Sequence, residues 1–78
     1  MGVTHYRLDS FLDRDCRERA DRLSLSACDD SHAVEQMRLA VWRHESSGES
    51  RALVLSRPGC SGWVKIARIG TRRYADNV

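Results

Sequence analysis

The 78-residue chain predicts a small α+β protein, a mostly antiparallel sheet of about four to five strands with one main helix packed on one face. Three observations carry that expectation. Short alternating apolar runs lie on both sides of one stretch of helical period, glycine and serine clusters separate them, and the runs after the helix are joined by spacers short enough for hairpins. Length allows residues 1–78 to form one domain.

Residues 3–9 alternate, with Thr4, Tyr6 and Leu8 on one side and Val3, His5 and Arg7 on the other, which suits an edge or first strand. Residues 13–22 then place eight charges in ten positions. Two readings of 10–22 stay open. A short helix would use Ser10 as its cap, align Leu12, Cys16, Ala20 and Leu23 in a stripe and gain the (i, i+4) pairs Asp13/Arg17, Asp15/Arg19 and Glu18/Arg22. A long hairpin loop is the alternative, because charge alone buries no surface and so short a helix is marginal in water.

Leu23, Leu25 and Ala27 alternate with Ser24, Ser26 and Cys28 as a half-buried strand, which stops at Asp29-Asp30-Ser31, residues that cap helices. The helix is expected over 31–44, ending before the flexible stretch that holds Gly48 and its neighbouring serines. Ala33, Val34, Met37, Ala40, Val41 and His44 fill one arc of about 120°, the width of a core-facing stripe. Residues 51–57 read as a strand around Ala52-Leu53-Val54-Leu55. Residues 58–62, with Pro58, Gly59 and Gly62, form a tight reversal into a strand over 63–69. Gly70-Thr71 is a two-residue spacer of type II′ character, leading to a last strand over 72–77. An unpaired edge at the first strand or at 72–77 would accept a second copy, so both a monomer and a homodimer are compatible with the sequence.

The net charge of +2 conceals an imbalance: residues 1–50 hold seven basic and ten acidic groups, residues 51–78 six basic and one acidic. No apolar run approaches the roughly 20 residues of a membrane span, and no leader sequence is visible, so the expected location is the cytoplasm. Cys16, Cys28 and Cys60 are odd in number and widely spaced, as free thiols are. A zinc site from Cys28, His32, His44 and Cys60 would lack paired short spacings. A Cys/His nucleophile pair such as Cys60 with His44 or His5 has no local signature, and Ser61, between Cys60 and Gly62, lacks the Gly-x-Ser-x-Gly context of a nucleophile elbow. No enzyme, metal or cofactor is expected.

Two surfaces stand out. On the outer side of the helix, Leu39 and Trp42 fall among Glu35, Gln36, Arg38 and Arg43, two large apolar groups where water should be. A small protein has little apolar material to leave outside its core, so Arg38, Leu39, Trp42 and Arg43 are candidate anchors for a protein partner. The competing reading folds residues 10–22, with Phe11 and Leu12, over Trp42. The second surface is basic and aromatic, with Arg57, Lys65, Arg68, Arg72 and Arg73 beside Trp63 and Tyr74. Cations for phosphate and flat rings for bases are what single-stranded nucleic acid needs, and nucleic-acid binding through Lys65, Arg68, Arg72 and Arg73 is the alternative function.

The run Leu23-Ser24-Leu25-Ser26-Ala27 entering a helix through Asp29-Asp30-Ser31, then Ala52-Leu53-Val54-Leu55, Gly62-Trp63-Val64-Lys65-Ile66-Ala67 and Gly70-Thr71-Arg72-Arg73-Tyr74, resembles the small phage-encoded anti-CRISPR proteins that act on type I surveillance complexes. The resemblance spans residues 22–77, leaves the charged block 13–22 without a counterpart and transfers no functional residue by motif. It implies a stoichiometric inhibitor that occupies a charged channel of a CRISPR ribonucleoprotein in the host cytoplasm and keeps target DNA from pairing, with no chemistry of its own.

Overall fold

Period-two alternation lets each strand bury one side, and in the computed structural model, which describes residues 2–71, four strands do so against a single helix. The elements are β1 (Thr4–Phe11), β2 (Arg19–Ala27), α1 (Asp30–Ser46), β3 (Ala52–Gly59) and β4 (Gly62–Gly70). The sheet order is β2-β1-β3-β4, and every neighbouring pair is antiparallel. The expected α+β architecture is therefore present. The strand expected over 72–77 lies outside the described residues.

Register explains the core. Tyr6 pairs with Leu25, Leu8 with Leu55, Leu53 with Ile69 and Leu55 with Ala67, so one face of the sheet is apolar across all four strands. Against it α1 sets Ala33, Met37 and Val41, with Val34 and Ala40 at the margins. That is the stripe the helical period predicts except for His44, which is half-buried and pairs with Glu49 at 2.8 Å instead of joining the core. Full burial of a side chain the size of Met37 or Leu55 contributes roughly 1.5–3 kcal/mol relative to exposure. A register shift between Leu55 and Ser56 lets consecutive Ile66 and Ala67 both reach the core.

β1 departs from its expected place. It is the second strand of the sheet, paired on both sides, and it continues to Phe11 rather than stopping at residue 9. The continuation passes through Asp9 and Ser10, which are buried at 4% and 7% exposure. For Asp9, Arg22 on β2 at 2.7 Å makes that tolerable, and no local pattern announces the pairing. With β1 inside the sheet, the expectation that it offers an edge to a second copy is withdrawn.

The helix expected within 10–22 is absent, and the hairpin-loop reading describes the segment. Asp13 is the reason. Its carboxylate accepts the N–H groups of Arg17 at 2.9 Å and Glu18 at 2.9 Å, donors that a helix would have turned to backbone carbonyls. Cys16 sits at φ 58, in the left-handed region, and Leu12 N–H closes the loop on Glu18 C=O at 2.8 Å. β2 consequently begins at Arg19. Leu23, expected to face the core, is 53% exposed at the sheet's border.

The helix itself begins one residue before and ends two after the expected 31–44. Asp29 caps it by accepting His32 N–H at 3.0 Å. At the other end Gly48 N–H reaches Glu45 C=O and Glu49 N–H reaches His44 C=O, the paired bonds of a Schellman turn, with Gly48 at φ 75. The β3–β4 reversal is a two-residue turn between Gly59 and Gly62, the latter at φ 136.

Candidate partner-binding surface

The outer side of α1 is open. Trp42 is 66% exposed and Leu39 is 59% exposed, with Arg38 and Arg43 exposed beside them. Helical spacing puts Arg38 and Trp42, and Leu39 and Arg43, one turn apart. The rival reading, in which residues 10–22 cover Trp42, does not hold. That loop is tied to the opposite side of the sheet, where the Arg68 guanidinium donates to Arg14 C=O.

The four ridge residues look outward over two flanks. Leu39 and Arg43 border a groove of about 210 Å³ between α1 and β2, floored by Leu8 and walled by Leu23 and Leu25. Arg38 borders the other flank with Val34 and Glu35. Trp42 stands between them on the crest. Leu23 thus joins the surface, a residue that alternation alone assigned to the core.

β2 forms the outer edge on this side, and the chain's own side chains engage part of that edge. Asp21 Oδ1 accepts Arg22 N–H at 2.8 Å, and Gln36 Nε2 donates to Ser26 C=O at 3.1 Å. Such contacts oppose strand-to-strand association.

The basic cluster read from sequence divides. Arg57 lies on the helix side of the sheet, 4.0 Å from Asp30. Lys65 and Arg68 lie on the helix-free side, and Arg72, Arg73 and Tyr74 fall outside the described residues. Beside Lys65 and Arg68 the structure brings two cations that sequence reading left out, Arg7 and Arg22. The Arg7 guanidinium stacks over the Trp63 ring at 4.6 Å, and Arg22 Nε bonds Asp9 Oδ1 at 2.7 Å. The signal for Arg7 was its alternation with Tyr6 and Leu8. For Arg22 there was none, since its segment read equally well as helix.

A polar cleft of about 580 Å³ at the start of α1 is lined by Tyr6, Asp29, Asp30 and Arg57 among others. Tyr6 Oη donates to Asp30 Oδ1 at 2.7 Å, and that bond, aided by burial, holds the phenol pKa above its ordinary value. The pair ties β1 to the helix. Cys28 and Cys60 are exposed free thiols and Cys16 is half-buried. Among the described residues no three His, Cys, Asp or Glu side chains converge as metal ligands would, and no helix is long and apolar enough to cross a membrane.

No family model, curated protein or solved structure matches this chain.

Proposed function

We propose that the chain is a non-enzymatic protein-binding module whose contact surface is the ridge of Arg38, Leu39, Trp42 and Arg43. The observation that carries this reading is the 66% exposure of Trp42 on a helix whose inner side already completes the core. An indole surrounded by arginines, with Leu39 next to it, has the composition of an interface hot spot. Arg38 and Arg43 select a partner with acidic groups around an apolar pocket, because opposite potentials steer the encounter and fix its register.

The finer reading is a stoichiometric inhibitor of a nucleoprotein complex, of the kind the anti-CRISPR resemblance implies, acting in the cytoplasm of a host cell. The compact anchor set supports an inhibitor that works by occupancy. Engagement of the β2 edge by Asp21 and Gln36 favours a foreign partner over a second copy.

Titration of a purified type I surveillance complex tests the finer reading. Target-DNA binding is expected to fall to an end point at a fixed molar ratio, and Trp42→Ala is expected to weaken the inhibition about 30-fold or more. Undiminished DNA binding at a large excess of the protein would sink the inhibitor reading. The broader reading is tested with a protein recovered on the tagged chain from its native host: its dissociation constant should rise about 30-fold for Trp42→Ala and stay unchanged for Arg57→Ala, which alters the opposite end of the helix side.

A further inference from the structure

The side of the sheet that carries no helix is a surface the ridge does not use. Cross-strand register places two rows on it. One runs Ser24, Arg7, Ser56, Lys65 and the next Arg22, Asp9, Val54, Arg68, with Trp63 opposite Pro58 at the β3–β4 end. The single carboxylate of these rows, Asp9, is buried and lies 3.4 Å from Arg7 Nε and 2.7 Å from Arg22 Nε, so it presents little negative charge outward. What remains outward in these two rows is cationic, with the 12–18 loop bordering them at the Arg68 end. Lys65 lies next to Trp63 on β4 and half-buried Arg7 stacks its guanidinium on that ring, which is still 48% exposed, while exposed Arg22 lies on β2 at the far edge of the described sheet.

We infer that this face binds single-stranded nucleic acid, with Arg7, Arg22 and Lys65 on phosphates and Trp63 stacking on a base. Charge complementarity selects a polyanion, since the rows lie about 7 Å apart along the strands and repeat the cation at each step. The exposed indole selects one with flat rings, because stacking on an aromatic side chain needs an unpaired base and tolerates any sequence. A duplex fits poorly. Four strands span about 14 Å, wider than the ~12 Å major groove, so double-stranded DNA would meet the cations while its bases stay out of reach of Trp63. The site is separate from the ridge on α1.

Tryptophan fluorescence tests it directly. In a Trp42→Phe background Trp63 is the one remaining tryptophan, and titration with 15-nucleotide mixed-sequence single-stranded RNA and DNA should quench it saturably at low salt. With three to four phosphates contacted, log K should fall against log salt with a slope of about −2 to −3. Trp63→Ala, followed by anisotropy of a labelled oligonucleotide, should weaken binding about tenfold. Lys65→Ala, a change at an exposed position whose fold circular dichroism should show intact, should weaken it about fivefold. Arg57→Ala on the other side of the sheet should have no effect. The proposal is overturned by the absence of saturable quenching with either oligonucleotide. It is equally overturned by a 15-base-pair duplex or inorganic polyphosphate binding as tightly as the single strand, or by Arg57→Ala weakening binding as much as Lys65→Ala.

Discussion

Asp9 is 4% exposed, with Arg22 Nε at 2.7 Å and Arg7 Nε at 3.4 Å. Removing a cation from such a group strands a buried carboxylate, whereas removing the carboxylate leaves guanidiniums that can turn to water. Arg22→Ala is therefore expected to destabilise the fold by about 2 kcal/mol and Asp9→Asn by about 1 kcal/mol, a ranking that urea denaturation reads. Asp13 shows the opposite use of a carboxylate. It holds the 12–18 loop by accepting N–H groups, and the bond from Glu18 foremost, then that from Arg17, keeps its pKa below the ordinary value. None of these partners was legible in the sequence. The (i, i+4) spacing of Asp13 and Arg17 fits a helical ion pair as well as a side-chain cap on a loop, and only long-range register brings Arg22 to Asp9.

Among the elements, α1 was read most nearly in full because its stripe, its Asp29 cap and its Gly48 terminator all act within a few residues of chain. Gly48→Ala forces a side chain into the left-handed conformation at φ 75 and should lower stability by about 1 kcal/mol. The turn behind it is also pH-sensitive. The hydrogen bond between His44 Nδ1 and Glu49 Oε1, at 2.8 Å, together with the nearby Arg51 charge, holds the Glu49 carboxyl below its ordinary pKa. A group with a lowered folded pKa contributes stability that is complete above its unfolded value and disappears as pH falls through the folded one. Thermal melts should therefore show Tm dropping as pH falls below the ordinary carboxylate range, and the Asp13→Asn/Glu49→Gln variant should show a shallower drop. The strands were harder to read than the helix. Placement of β1 between β2 and β3 depends on pairing at distances of up to 49 residues, as Arg7 with Ser56, which no local window contains.

At the scale of the molecule, one helix packs one side on the protein's own core and leaves Leu39 and Trp42 exposed on the other. Met37 is fully buried against the sheet, and Met37→Ala should cost about 2–5 kcal/mol by cavity formation. Trp42 lies outside that core, and replacing it should change stability by no more than about 0.5 kcal/mol, a shift in Tm of at most about 4 °C. Exposure of the ridge was legible because a helix has two sides and the apolar residues on the inner one sufficed. The helix-free face was not, because Arg7, Arg22, Lys65 and Trp63 come from three strands whose order is a property of the whole sheet. The most direct measurement pairs thermal unfolding with partner affinity for the Leu39→Ala/Trp42→Ala variant against the unaltered chain. An essentially unchanged Tm with binding to the host partner reduced at least 30-fold is the predicted result. A collapse in Tm with affinity retained in the folded fraction would show that these side chains serve the fold and that the partner binds elsewhere.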